Sequence, residues 1–179
     1  MLKWLLVAFV IGAAMLFWRM TIYSNRNLPK AGEASPAFRL PDQNGNWRDS
    51  GGFRGKWLVL YFYPRDDTPG CTEQAAQYRD AMRDIEALGA TVCGVSVDNS
   101  ESHAEFARKY NLPYALLADR NGEVAGRHGS LRDFGLLKFA RRNTFLIDPQ
   151  GKVAKVYVGV NPSRNAADVT NDLKRLTAA

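Results

Sequence analysis

Residues 61–71 read Tyr-Phe-Tyr-Pro-Arg-Asp-Asp-Thr-Pro-Gly-Cys, and this stretch decides the fold of the chain. It predicts a buried strand, a tight loop, and then a helix from Cys71 to Leu88 whose first turn holds the cysteine. The first backbone N–H groups of a helix have no intrahelical partner, and the helix dipole adds partial positive charge at that end. Because the thiolate is the reactive form of cysteine, this position favours a nucleophile at Cys71 over a core residue.

The residues around this stretch alternate between strand and helix patterns. Residues 57–62 are continuously apolar, which is typical of a strand covered on both faces. Residues 71–88 carry one apolar stripe at helical spacing. The other predicted elements are a hairpin (38–40 with 46–48), a strand (91–97), a helix capped by Ser100 (100–110), a strand (115–118), a short helix (123–128), a strand pair (143–147 with 153–160) and a closing helix (166–176). This order predicts an α/β fold with a central mixed β-sheet flanked by helices.

The composition excludes several functional classes. The chain has 179 residues, and its hydrophobic content of 46% is typical of a globular protein. The formal net charge is +6, and half of it comes from Lys3, Arg19 and Arg26, so the remainder is too mildly basic for nucleic-acid binding. The two cysteines and two histidines form neither a disulfide framework nor a metal-binding motif. We therefore expect no metal, no other cofactor and no nucleic-acid partner.

The first residues form a separate apolar segment. Residues 4–18 contain no charge, and an extension to Tyr23 gives about 30 Å of helix if Arg19 reaches the interface. We expect a transmembrane anchor over 1–23 with lipid contact at 4–23, a polar linker over 24–36 and a globular domain over 37–179. A cleaved signal peptide is the alternative, but no small-residue cleavage site follows the apolar run. The expected location is the bacterial inner membrane, and the flanking positive charges leave the side of the membrane open.

The neighbours of Cys71 suit a reactive thiol. Thr68 lies one turn before Cys71, so we expect its hydroxyl to face the sulfur. Pro69-Gly70 lets the backbone approach closely and leaves the N–H groups of Gly70 and Cys71 free to bind an oxygen anion. Pro64 ends the strand and is placed to shield the pocket from water. The alternative is an inert buried thiol, the usual state of an isolated cysteine.

The spacing Pro64-x-x-x-Thr68-x-x-Cys71 resembles the signature of the peroxiredoxins. The wider stretch from Tyr61 to Thr72 is similar to their Q-type (bacterioferritin comigratory protein) subfamily. The resemblance covers residues 34–175 and includes the segments 94–98 with 102–103, 116–119, and 142–148. It implies a thioredoxin-like fold and a thiol-dependent peroxidase that reduces hydrogen peroxide and organic hydroperoxides through a cysteine sulfenic acid.

The resemblance also implies roles for single residues. Cys71 would be the peroxidatic cysteine that attacks the peroxide, and Thr68 would bind the thiolate and orient the substrate. Pro64 would shield the site. Arg142 would come from a later strand and stabilise both the thiolate and the charge on the leaving oxygen, a role that suits a permanently charged group with a rigid donor fork. We expect the adjacent Arg141 to be a solvated surface charge.

The sequence departs from the subfamily pattern in two places. Many Q-type members have a second, resolving cysteine five residues after the first, and this chain has Ala76 there. Cys93 lies in a predicted buried strand, where an inert core thiol is expected. These features favour a one-cysteine mechanism in which thioredoxin, glutaredoxin or a low-molecular-weight thiol reduces the sulfenic acid. The second departure is Gln74, where the family often has Glu, and the adjacent Glu73 leaves open which residue takes that role.

Two alternatives come from different classes of protein. A glutathione-peroxidase-like enzyme shares the fold but is expected to place Gln and Trp beside the sulfur. A non-catalytic, membrane-tethered thioredoxin-fold module would bind a partner, and the complete set of Pro64, Thr68, Cys71 and Arg142 argues against it. We expect a monomer or weak dimer. His103 opens a predicted helix and is expected at the surface or in a cap, and no pattern pairs it with Cys71 as in a cysteine protease.

Overall fold

The computed structural model describes residues 11–12, 28–135 and 137–178. Nine strands, four α-helices of the domain and one 3-10 helix (Ser50–Phe53) follow one another between residues 39 and 177. In chain order they are β1 (Arg39–Pro41), β2 (Trp47–Asp49), β3 (Trp57–Phe62), α1 (Pro69–Ala87), β4 (Ala90–Ser96), α2 (Ser100–Tyr110), β5 (Ala115–Ala118), α3 (Glu123–Arg127), β6 (Leu131–Asp133), β7 (Lys138–Ala140), β8 (Thr144–Ile147), β9 (Val153–Tyr157) and α4 (Asn165–Thr177).

A five-stranded mixed sheet forms the centre of the domain, in the order β5-β4-β3-β8-β9. β3, β4 and β5 run parallel, whereas β8 is antiparallel to both β3 and β9. β3 occupies the middle because five of its six residues are buried, as its unbroken apolar sequence predicts. Its antiparallel pairing with β8 puts Tyr61 opposite Thr144, so the end of β3 lies beside the start of β8.

Two hydrophobic cores cover the two faces of the sheet. The first contains Tyr61 and Tyr63 from β3 and its extension, together with the apolar stripes of α1 and α4 and part of α2. The second contains Leu60 and Phe62, with the short helix α3 and residues from the β1–β2 hairpin. Because side chains alternate along a strand, consecutive residues of β3 supply both cores. Cys71 belongs to the first core and Cys93 to the second.

Most of the predicted elements are present, with boundaries that shift by a few residues. The central mixed sheet with flanking helices is confirmed, and so is the β1–β2 hairpin. The N-cap of α2 is Asn99 rather than Ser100, because the Asn99 side chain accepts a hydrogen bond from the Ser102 N–H. The β6–β7 hairpin was not predicted, since its strands have three residues each and no apolar run.

The predicted linker over 24–36 is partly paired with the domain. The Gly32 N–H donates to the Val153 carbonyl, and the Val153 N–H donates to the Glu33 carbonyl, each at 2.8 Å. Ala34 also forms an isolated antiparallel bridge with Lys152. The domain boundaries at residues 23 and 36 stay a prediction.

We correct the predicted membrane localisation. In the part of the chain that the structure describes, no helix is both long enough and apolar enough to cross a membrane. α1 is long enough, with 19 residues, but it is amphipathic, with one buried face and charged residues on the other. Residues 1–10 and 13–23 of the predicted anchor lie outside the described residues.

Gly94 on β4 is required by the close approach of Tyr61 from the neighbouring strand. A Cβ atom at Gly94 would lie 2.7 Å from the Tyr61 ring and 2.8 Å from the Leu116 side chain. The Tyr61 ring is held in place because its hydroxyl lies 3.1 Å from that of Tyr114 and the ring stacks on Tyr78. An added methyl group therefore has no room.

We predict that Gly94→Ala lowers the free energy of unfolding by about 1–3 kcal/mol, the usual cost of overpacking a core. Urea denaturation followed by circular dichroism measures this. Gly52→Ala is the matched control, since a Cβ at Gly52 meets nothing within 4 Å, and it should change stability by less than about 0.5 kcal/mol. Equal effects of the two substitutions would contradict the packing argument.

Candidate active site

The loop between β3 and α1 is fixed before it reaches Cys71. Asp66 accepts hydrogen bonds from the Tyr63 hydroxyl and the Ser102 hydroxyl, each at 2.7 Å. The next residue, Asp67, has a positive φ of 54° and pairs with Lys109 at 2.6 Å. The contacts with Ser102 and Lys109 tie the loop to α2 before it reaches the start of α1.

His103 lies under this loop, and the prediction that it is a surface or capping residue is wrong. Its side chain is fully buried, and Nδ1 lies 2.8 Å from the Asp66 carboxylate. Burial opposes the ionisation of Asp66, but the hydrogen bonds from His103, Ser102 and Tyr63 outweigh it and lower the pKa of Asp66. Asp66 is therefore ionised at neutral pH and holds His103 as a structural partner.

Cys71 lies in the first turn of α1, which begins at Pro69 with Thr68 as the N-cap residue. The proline suits this position because the first helical N–H has no partner to lose. Cys71 is 1% exposed. The prediction that its N–H is free is wrong, since that group donates to the Thr68 carbonyl at 3.0 Å. The sulfur is thus buried at the positive end of a helix.

Arg142 reaches Cys71 from the segment between β7 and β8. Its Nη2 lies 3.3 Å from the Cys71 sulfur, and its Nη1 donates to the Gln74 side-chain oxygen at 2.8 Å and to the Gly70 carbonyl at 3.3 Å. The guanidinium therefore contacts three residues of the first turns of α1. The pairing of β3 with β8 explains the contact, because it puts the loop after β3 beside the segment before β8.

Gly70 leaves the space that the guanidinium occupies. A Cβ atom at Gly70 would lie 3.3 Å from Arg142 Nη2 and 3.7 Å from the Pro162 ring. A larger residue would therefore push against the group that contacts the sulfur. Glycine is needed at this position because Arg142 approaches closely, and not because the backbone has a positive φ.

The Thr68 hydroxyl does not donate to the sulfur in this structure. It donates instead to the Arg65 carbonyl at 3.1 Å, within the loop. Pro64 is half-buried, two residues after the end of β3. The structure thus brings Arg142 into contact with Cys71, as predicted. The Thr68 hydroxyl instead bonds to the Arg65 carbonyl, so its predicted contact with the sulfur is not made.

Two residues at the site were not assigned by the sequence. Gln74 is fully buried and accepts a hydrogen bond from Arg142, so Gln74 rather than Glu73 contacts the arginine at the position where the family often has Glu. Asn165, at the start of α4, is 1% exposed and accepts a hydrogen bond from Gln74 Nε2 at 2.9 Å. Gln74 lies one helical turn after Cys71, which is a visible signal. Asn165 has no such signal, because 91 residues separate it from Gln74.

Cys93 is buried in β4, on the opposite face of the sheet from Cys71. Burial raises the pKa of the Cys93 thiol to about 12. The position five residues after Cys71 holds Ala76, which is half-buried on α1. Neither cysteine forms a disulfide.

Two further observations complete the surroundings of the site. Arg141 is half-buried, and burial lowers the pKa of its guanidinium, so the expected solvated surface charge is wrong. A cavity of about 560 Å³ lies on the α2 side of the loop, between Asp66, Phe106 and Lys109, and Cys71 is not part of its lining. Among the described residues, no three His, Cys, Asp or Glu side chains are grouped as metal ligands.

Known proteins match both the sequence and this fold. A family model described as the AhpC/TSA family matches residues 31–156. A Coxiella burnetii protein assigned to the peroxiredoxins as bcp is 38% identical over 148 residues, 80% of this chain and 98% of that protein. A chloroplastic peroxiredoxin Q of Sedum lineare is 45% identical over 127 residues, 70% of this chain and 67% of the relative. Peroxidoxin BcpB from Mycobacterium tuberculosis has a TM-score of 0.79 at 32% identity, over 83% of this chain and 98% of that one.

Together with these matches, the fold and the Cys71 site define a thiol-dependent peroxidase on a thioredoxin-like sheet. The chain belongs to the AhpC/TSA family, within the Q-type (bacterioferritin comigratory protein) peroxiredoxins.

We predict that Cys93 stays unmodified in the folded protein. Because burial raises its pKa to about 12, the Cys93 thiol is neutral at pH 8 and closed to reagents. Treatment with iodoacetamide at pH 8, followed by peptide mass spectrometry, should find Cys93 alkylated at least about a hundredfold more slowly in the folded protein than in urea. The urea sample is the control, in which the burial of Cys93 is lost. Equal rates for Cys93 in the two samples would contradict the burial argument.

Proposed function

We propose that Cys71 is the peroxidatic nucleophile of this enzyme and that Arg142 is its electrostatic partner. The observation that carries the proposal is the 3.3 Å separation between Arg142 Nη2 and the Cys71 sulfur. A permanently charged guanidinium at this distance favours the thiolate over the thiol. The start of α1 adds the positive end of the helix dipole at the same atom.

The chemistry is a two-electron displacement at oxygen. The Cys71 thiolate attacks the terminal oxygen of hydrogen peroxide or an organic hydroperoxide, an S–O bond forms and the O–O bond breaks. The leaving oxygen takes a proton from solvent and departs as water or an alcohol, and Cys71 becomes a sulfenic acid. The sulfur is oxidised by two electrons and the peroxide is reduced by two, so the step needs no cofactor.

Arg142 stabilises negative charge on both the Cys71 sulfur and the leaving oxygen in this step. As the S–O bond forms, negative charge moves from sulfur to the leaving oxygen, and a donor fork that already contacts the sulfur is placed to follow it. Gln74 accepts from Nη1 at 2.8 Å and so holds the other half of the fork. A preorganised donor of this kind needs no reorganisation during the reaction.

Thr68 and Pro64 are the other two proposed participants. A rotation about the Thr68 side-chain bond exchanges the Arg65 carbonyl for the sulfur or the bound peroxide, since Thr68 is in the turn directly before Cys71. The hydroxyl can then donate to the thiolate and accept from the peroxide, which aligns the O–O bond for attack. Pro64 is half-buried at the end of β3 and limits water at the pocket.

The sulfenic acid is resolved by an external thiol. Cys93 lies on the other face of the sheet, and the helical position used for resolution in many relatives is Ala76. An incoming thiol, from thioredoxin, glutaredoxin or a small molecule, attacks the Cys71 sulfur, releases water and leaves a mixed disulfide that a second thiol reduces. Because Cys71 is 1% exposed, the first turn of α1 must open before a protein thiol can reach it.

We predict that Cys71→Ser abolishes peroxide consumption and that Arg142→Met lowers the second-order rate constant for hydrogen peroxide by about a hundredfold or more. Methionine keeps the unbranched apolar part of the side chain but is shorter and loses the charge and the donors. Removal of one such donor typically costs this much. Stopped-flow measurement of Cys71 oxidation gives the rate constant. Arg83→Met, at an exposed position on α1, is the matched control and should keep the wild-type rate. A wild-type rate for Arg142→Met would show that Arg142 is not the electrostatic partner of Cys71.

We predict that Thr68→Val lowers the same rate constant by about tenfold or more, whereas Thr68→Ser stays within about threefold. Valine has the shape of threonine without the hydroxyl, so the comparison isolates the hydrogen bond. If both variants react at the same rate, Thr68 acts through packing alone and its proposed role is wrong.

A further inference from the structure

Asn165 is the meeting point of a buried polar network behind the reacting sulfur. Its side-chain oxygen accepts from Gln74 Nε2 at 2.9 Å, from the Tyr78 hydroxyl at 2.6 Å and from the Thr144 hydroxyl at 2.8 Å. These donors come from α1 and β8, while Asn165 itself opens α4. Three elements of the domain are thus joined at one oxygen atom that is closed to solvent.

The direction of each hydrogen bond follows from the arginine. A guanidinium can only donate, so the Gln74 side chain must turn its oxygen towards Arg142. Its NH₂ group then points the other way and needs an acceptor, which is the Asn165 oxygen. The assignment of oxygen and nitrogen in both amides is therefore set by the network rather than chosen freely.

The orientation of Asn165 also leaves one group unsatisfied. Its Nδ2 is buried and has no hydrogen-bond partner among the described residues. An unpaired buried donor costs free energy, so the other three contacts must outweigh it. Burial raises the pKa of Tyr78 well above its ordinary value, and its hydroxyl therefore stays protonated and available as a donor. The polarity of the network is the same across the working range of pH.

Gln74 is the nearest acceptor of Arg142, and it is neutral. The contact at 2.8 Å is shorter than the 3.3 Å contacts with the Gly70 carbonyl and the sulfur. Arg142 is absent from the salt bridges of the described residues. Its full positive charge therefore acts on the sulfur, provided that the Gln74 amide keeps its oxygen facing the guanidinium.

We propose that Asn165 is a positioning residue for the peroxidase reaction: its side-chain oxygen fixes the amide of Gln74, and through Gln74 it holds the Arg142 guanidinium against the Cys71 sulfur. The inference rests on the proposed function of Cys71 and Arg142. Asn165 touches neither the sulfur nor Arg142 through any hydrogen bond of the described residues, and it acts through Gln74 alone. The C-terminal helix α4 is thereby part of the catalytic arrangement.

The test measures the second-order rate constant for Cys71 oxidation by hydrogen peroxide. Asn165→Leu keeps the approximate size and removes the acceptor, and we expect the rate constant to fall about tenfold. Asn165→Asp keeps an acceptor oxygen in either protonation state, and the fall should be no more than about threefold. Asn165→Ala replaces the leucine variant if that protein unfolds, and the same result is expected. A wild-type rate for the variants without an acceptor would overturn the proposal.

A double-mutant cycle separates positioning from a general structural role. If Asn165 acts through Gln74, then Gln74→Leu and the double variant Gln74→Leu/Asn165→Leu react at the same rate. Two losses that multiply would show that Asn165 acts independently of Gln74 and would refute the inference. Thr170→Val, on the same buried face of α4, is the control, because its hydroxyl bonds only to the Ala166 carbonyl in the contacts described. It should leave the rate constant unchanged.

The arms of the experiment distinguish the two proposals. A normal rate for Arg142→Met defeats the proposed function, and the positioning role falls with it. A lowered rate constant for Arg142→Met together with a wild-type rate constant for Asn165→Leu contradicts the positioning role alone. The pH profile of iodoacetamide alkylation at Cys71 adds a readout that lost packing does not mimic: Asn165→Leu should shift its midpoint in the same direction as Arg142→Met, and an unshifted profile would count against the proposal.

Discussion

The contact between Arg142 and the Cys71 sulfur, at 3.3 Å, depends on nearly every other feature of this domain. Seventy-one residues separate the two side chains in the sequence. They meet because β3 and β8 are antiparallel neighbours, with Tyr61 opposite Thr144, so that the chain leaving β3 and the chain entering β8 lie side by side. The loop after β3 then turns into α1 at Pro69, and Gly70 leaves the room that the guanidinium needs.

The sheet also separates the two cysteines. Consecutive residues along a strand face opposite sides, and the two faces of this sheet are covered by different cores. Cys71 lies on the side of α1 and α4, and Cys93 on the side of α3. A disulfide between them would require the strand or the helix to leave its core, whereas the geometry of a disulfide demands that the two Cα atoms come within about 7 Å. This separation is the structural basis for proposing that the resolving thiol comes from outside the chain.

Local patterns in the sequence predicted most of the fold. The apolar run of residues 57–62, the stripe on α1 and the hairpin of residues 38–40 with 46–48 each carry their own physical signal, and the structure confirms them. The β6–β7 hairpin carries no such signal, because its two strands have three residues each and contain no apolar run. Membrane localisation was predicted from the apolar length of the first residues and from the lack of a cleavage site after them, in a segment where Arg19 interrupts the run.

The candidate site was predictable to the extent that its residues follow a motif. Cys71 was found by its place at the start of a predicted helix and Arg142 by resemblance to a family, and the structure brings them into contact. The burial of His103 was not predicted, because no pattern in the sequence near it shows that it will pair with Asp66, 37 residues earlier. Asn165 was missed because its role depends on three donors from two other elements, and this information appears only in the folded chain.

The most direct test of the account is to identify the chemical state of Cys71 after one equivalent of hydrogen peroxide, with no reductant present. Trapping with dimedone followed by peptide mass spectrometry reports it. The account requires a dimedone adduct on Cys71, with Cys93 recovered as a free thiol. A disulfide between Cys71 and Cys93, or an adduct on Cys93 with Cys71 unmodified, would contradict it.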